Sequence, residues 1–139
     1  MNVSTASPPR FHGWIAGAAL LWNLIGVMAF LMQIRMGAAQ VAALSPLERA
    51  VYDTTPAWVT VAFGVAVVTG VLGSVGLLLR QRWAVALLTL SLIAVLVQVT
   101  GAYLFTPAWQ ANGPAGLAMP ILLVVIGTLL VSYANRVTA

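Results

Sequence analysis

The chain has 139 residues, of which 62% are hydrophobic and 6% charged, with no Cys. A water-soluble domain carries about a quarter charged residues, so this composition excludes a soluble globular domain and a disordered segment. A net charge of +4 is too sparse to follow a phosphate backbone, which excludes a nucleic-acid binder, and what is left is an integral membrane protein.

About 20 apolar helical residues cross a bilayer core, and the uncharged stretches of the chain supply them. Residues 1–11 read as a flexible N-terminal segment carrying Arg10. The uncharged run from Phe11 to Ile34 predicts a first membrane helix over 13–35. It exceeds the apolar core of a signal peptide, about 7–15 residues, so this helix is expected to be retained. In the loop 36–55, Ser45-Pro46-Leu47-Glu48 has the form of a capping box with Pro at the first helical position. That predicts a short interfacial helix over 46–53, turning Leu47, Val51 and Tyr52 toward lipid or the bundle. Thr54-Thr55-Pro56 opens a second membrane helix over 56–80 by the same logic. A tight turn through Arg80-Gln81-Arg82 leads into a third helix over 83–105. Pro107, Asn112, Gly113 and Pro114 then break the apolar run. A fourth helix follows over 114–134, where Pro120 would free the carbonyl near Gly116 and mark a mild kink. The expected fold is all-α: one domain over 1–139, an antiparallel bundle of four transmembrane helices.

Arginine placement sets the orientation. Arg10, Arg80, Arg82 and Arg136 fall on one side and Arg35 and Arg49 on the other, which puts both termini in the cytoplasm. Trp14 and Trp83 then sit at the inner boundary, Trp58 and Trp109 at the outer one, and Trp22 lies deep. Membrane helices associate through close packing of small residues and through interhelical hydrogen bonds. Each helix carries such a stripe: Ala16, Ala19, Asn23, Gly26, Phe30 and Gln33 in the first, and Ala62, Ala66, Thr69, Gly73 and Gly76 in the second. The third has Ala84, Leu87, Ser91, Ala94, Gln98 and Gly101; the fourth, a weaker set, has Gly116, Pro120, Leu123, Gly127 and Ala134. Gly13 and Gly17 match a close-approach motif near one end of the first helix, a pattern frequent by chance. Thr55-Pro56-Ala57-Trp58 recurs as Thr106-Pro107-Ala108-Trp109, read as convergence on helix-opening Pro and interfacial Trp in preference to duplication.

An unpaired amide in hydrocarbon costs several kcal/mol, so Asn23 and Gln98 each need a partner. A hydrogen bond between them across the bundle is the expectation, with Trp22 as the third intramembrane polar contact. Such residues serve either as bundle glue or as contacts to a solute. Glu48, Arg49 and Asp53 form a candidate partner-facing patch in the loop. His12, at the inner edge, is expected to be solvated or to face headgroups. No charge falls mid-membrane and no catalytic set, metal cluster or phosphate loop appears. The expectation is a non-enzymatic protein without cofactor, metal or nucleic acid, whose partners are the bilayer and other membrane subunits or a second copy.

Leu21-Trp22-Asn23-Leu24-Ile25-Gly26, Pro46 to Pro56 running into Ala57-Trp58-Val59, Arg80-Gln81-Arg82-Trp83-Ala84, Gln98 and Met119-Pro120 carry a resemblance. Over nearly its whole length the chain resembles a group of small bacterial four-helix membrane proteins, many of which bear the label "sugar transporter". The resemblance implies a multi-pass protein of the bacterial inner membrane, with 36–55 as a periplasmic loop, and transfers no site residue. Two functions stay open: an accessory or interaction subunit of a larger membrane complex, and a small-solute transporter or channel component acting as an oligomer.

Overall fold

The computed structural model describes residues 11–138. The expected flexible N-terminus, with Arg10, lies outside these residues except for Phe11. Among the described residues every regular element is helical: α1 (His12–Ile34), α2 (Ala38–Ala42), α3 (Pro46–Thr54), α4 (Ala57–Leu78), α5 (Trp83–Phe105), α6 (Ala108–Asn112), a 3-10 turn (Pro114–Leu117) and α7 (Ala118–Thr138). Four segments are long and apolar enough to cross a membrane: His12–Ile34, Ala57–Leu78, Trp83–Phe105 and Pro114–Thr138. The protein is a multi-pass, all-α membrane protein.

Helix ends follow local chemistry. The Glu48 N–H donates to Ser45 Oγ at 3.2 Å and Glu48 Oε1 accepts from the Ser45 N–H at 3.4 Å, so the capping box forms as expected and starts α3. Thr55 does not cap α4; its hydroxyl turns back to the Val51 carbonyl at 2.6 Å and closes α3. Thr106 makes the same return bond to the Ala102 carbonyl and closes α5. The repeated Thr-Pro-Ala-Trp therefore ends one helix and starts another at both sites. The first copy opens the 22-residue α4, whereas the second opens only the five-residue α6.

α4 stops at Leu78, two residues short of expectation, because Arg80 takes a left-handed backbone at φ 57°. The Gln81 N–H then reaches the Gly76 carbonyl at 2.8 Å and the Arg80 N–H the Leu77 carbonyl at 3.0 Å. This is the Schellman pattern that satisfies the last carbonyls of a helix. The fourth membrane segment begins as a 3-10 turn at Pro114 and becomes α-helical only at Ala118, running on to Thr138. Pro120 thus lies in the first turn of α7, where its missing N–H has no intrahelical partner to lose, and it does not sit inside an established helix. The Gly116 carbonyl is taken by the Tyr103 hydroxyl at 3.0 Å. Two five-residue helices, α2 and α6, were not expected.

The long helices form the antiparallel bundle in the order α1, α4, α5, α7. Asn23 meets Ser74 and Gly26 meets Val67 between α1 and α4. Gly73 receives Leu88, Gly76 receives Trp83 and Gly101 receives Trp58 between α4 and α5. Gly127 receives Leu92 between α5 and α7. The small-residue stripes face inward as expected. α4 also buries Val59, Val67, Gly70, Ser74 and Leu77, because it is covered on two sides. Ala16, Leu77, Ala84, Leu88 and Ala134, drawn from all four long helices, form a buried cluster at the end that carries both termini. From there α1 and α7 diverge toward the loop end, and one side of the bundle stays open between them.

Candidate functional site

Three polar groups near mid-membrane are held by short hydrogen bonds. The Asn23 carboxamide nitrogen donates to the Ala19 carbonyl at 2.9 Å and to Ser74 Oγ at 3.1 Å. Ser91 Oγ donates to the Ala66 carbonyl at 2.7 Å, and Thr69 Oγ1 to that of Val65 at 2.6 Å. Gly70 makes room for this layer: a Cβ there would overlap the Asn23 carboxamide and lie 3.2 Å from Ser91 Oγ. Ser74 is fully buried.

The expected Asn23–Gln98 bond is not made. Gln98 is seven residues beyond Ser91 on α5, which at 1.5 Å per residue places it about 10 Å further toward the loop end. Asn23 sits at the level of Ser91 and Gly70 and uses both amide protons there. Gln98, half-buried, has no hydrogen-bond partner among the described residues. Asn23 Oδ1 also accepts no hydrogen bond among the described residues.

Both amides nevertheless line one space. A cavity of about 260 Å³ occupies the gap between α1 and α7, floored by α4 and α5. Leu88 and Leu130 close it at the terminal end; Ala29, Phe63, Gln98 and Met119 border it toward the loops. Trp22, placed deep by the sequence, contributes to its α1 wall. The remaining lining is aliphatic apart from Ser91 and carries no ionisable side chain. Leu130, at the terminal end of the cavity, also lines a second space bordered by Ile15, Ser132 and Tyr133.

That end is tied by a residue whose role the sequence reading missed. His12 is 4% exposed, not solvated as expected. Its Nε2 lies 2.9 Å from the Leu77 carbonyl and its Nδ1 2.7 Å from the Tyr133 hydroxyl. A carbonyl only accepts, so Nε2 carries the proton, and in the neutral ring Nδ1 accepts from Tyr133. The rings of His12 and Tyr133 stack at 5.7 Å between centroids. One imidazole therefore joins α1, α4 and α7. The available signal was the shared level of a lone His at the start of α1 and a Tyr near the end of α7.

Glu48, Arg49 and Asp53 are all exposed on α3, which packs against α6 at the loop end. Arg49 Nε lies 3.9 Å from Asp53 Oδ2, with both side chains more than half exposed. A pair so placed contributes little to stability. The trio is apart from the cavity. Comparison with protein-family models, with curated proteins and with solved structures gives no match.

Proposed function

We propose that this protein is a non-enzymatic accessory protein of the bacterial inner membrane that acts by binding, within the plane of the membrane, in the groove between α1 and α7. The observation that carries this reading is the gap in the bundle: a cavity bordered by Asn23 and Gln98 lies between α1 and α7, and among the described residues no other element fills it. An amide without a partner in hydrocarbon costs several kcal/mol, which favours an occupant that supplies one. The absence of ionisable side chains from the lining argues for binding in preference to chemistry. Arg80, Arg82 and Arg136 at the terminal end outnumber Arg35 and Arg49 at the loop end, and on that count the termini face the cytoplasm.

The test is site-specific photocrosslinking in native membranes, with a benzophenone amino acid at Ala29 in the groove and, as control, at Leu24, which is exposed. A discrete adduct from Ala29 alone, whether a partner chain or a small molecule, is the expected result. The same lipid mixture at both positions would remove the groove as a site.

A second reading, a small-solute transport component working as an oligomer, is favoured by one observation: Trp22, Asn23 and Gln98 face the same cavity. Three such groups and the Ser91 hydroxyl in an otherwise apolar lining suit a sugar poorly. Sugar flux into proteoliposomes, abolished by Gln98→Leu, would decide for this reading.

A further inference from the structure

The shape of the groove restricts what it can hold. Along α5 the lining runs from Leu88 to Gln98, ten residues, and along α7 from Met119 to Leu130, eleven residues. At 1.5 Å per residue both spans give a length of about 15 Å. A space of this length and volume suits a slender apolar chain. A cavity of about 150 Å³ holds benzene; scaled by volume, the present one holds about ten carbons.

Its polar groups restrict the ligand further. At the loop-end rim the Gln98 carboxamide offers two donors and an acceptor, none used among the described residues. Deeper in the groove the Asn23 nitrogen and the Ser91 hydroxyl proton are already engaged, so only acceptor capacity remains there. No cation or carboxylate borders the space. A charged head drawn into it would be desolvated without a counter-charge, which disfavours it. Gln98 lies seven residues inside the end of α5 at Phe105, about 10 Å below that end. The ester of a phospholipid could reach this depth only by dragging its phosphate along, so a bilayer lipid could place a tail in the groove but not pair its ester with Gln98.

We propose that the α1–α7 groove binds a free, single-chain, uncharged amphiphile of about ten carbons in contact with the protein, its hydroxyl or carbonyl head paired with the Gln98 carboxamide and its chain lying along Val95, Leu92 and Leu123. This rests on the reading of the groove as a binding site and adds the chemical class of its ligand. Gln98 is the residue that selects the head, and the aliphatic walls select a single chain.

The experiment uses the full chain in lipid nanodiscs and a ten-carbon primary alcohol bearing a mid-chain diazirine, with labelled residues mapped by peptide mass spectrometry. Saturable labelling of groove residues such as Val95 and Leu123 is expected. 1-Decanol should compete at least tenfold better than decane or decyltrimethylammonium. Gln98→Met, which keeps length and removes the amide, should reduce the advantage of decanol over decane about tenfold. Val95→Phe, which fills the groove but keeps Gln98, should abolish saturable labelling, and helical circular dichroism verifies both variants. Saturable labelling with decane competing as well as decanol, or with Gln98→Met indifferent, would overturn the ligand class while leaving the groove as a site. Non-saturable labelling equal to that at exposed Leu24 would overturn both.

Discussion

Gly70 and Asn23 show how one missing methyl organises a membrane interior. The Asn23 carboxamide lies against the Gly70 backbone, within reach of buried Ser74. Gly70→Ala places a Cβ where the carboxamide now sits, and overpacking of this kind costs about 1–3 kcal/mol. Unfolding in mixed micelles should show that loss. Because the clash is with one side chain, Asn23→Ala in the same chain should restore most of it, a coupling that a double-mutant cycle reads directly. Tyr103→Phe is a milder case: it strips the Gly116 carbonyl of its donor, and interhelical hydrogen bonds in membranes average about 0.6 kcal/mol. The inward direction of Asn23 was legible from the small-residue stripe around it, but its partner was not. An amide pairs with any hydroxyl at its own level, and depth along an apolar helix is read from sequence only to about a turn. Ser74 also lies off the single stripe assigned to α4, because a helix with two covered faces has no single stripe. His12 escaped for a related reason: a terminal His is solvated unless a carbonyl and a hydroxyl meet it, and both come from helices distant in sequence.

At the level of elements, the apolar runs announce the membrane helices and backbone conformation decides where they stop. Arg80 holds the left-handed position after α4, which costs a non-glycine residue about 1–2 kcal/mol. Arg80→Gly should therefore raise stability by about 1 kcal/mol in the same unfolding measurement, with the Gly76–Gln81 bond retained. Gly113 marks the opposite case. Its φ of 64° and ψ of −165° fall in a region essentially reserved for glycine, between α6 and the 3-10 turn. Gly113→Ala has open space around the new methyl, so its cost is backbone strain alone, about 1–3 kcal/mol. It should appear as a stability loss that no cavity-making change nearby relieves. Neither conformation is written in composition or periodicity. α2 and α6, at five residues each, are too short for a helical period to emerge. The capping box of α3 was legible because its two hydrogen bonds depend on residues three apart in sequence.

At the scale of the molecule, the arrangement α1, α4, α5, α7 buries α4 most, and leaves α1 and α7 with one long neighbour each. Such a bundle stays open unless something ties its outer helices, and here the tie is confined to one end. His12 binds Leu77 and Tyr133, while Ala16 and Ala134 share the buried cluster beneath them. Toward the loops Phe30 turns to Phe63 on α4, at 5.3 Å between ring centroids, instead of crossing to α7. The four helices and their antiparallel order were legible, but the open side was not, since apolar side chains serve equally to face lipid and to face a helix. The chain has no Cys, so paired cysteines report this geometry without background. Ile15 and Ser132 border a common space at the tied end, whereas Ala29 and Met119 stand across the groove mouth. A short bismaleimide should join the Ile15→Cys/Ser132→Cys pair rapidly in nanodiscs and leave the Ala29→Cys/Met119→Cys pair largely unjoined. Adding Tyr133→Phe removes one hydrogen bond of the tie and should slow the first reaction by letting α1 drift. Equal yields at the two ends would mean that the bundle closes in the bilayer, and the groove would then be no site at all.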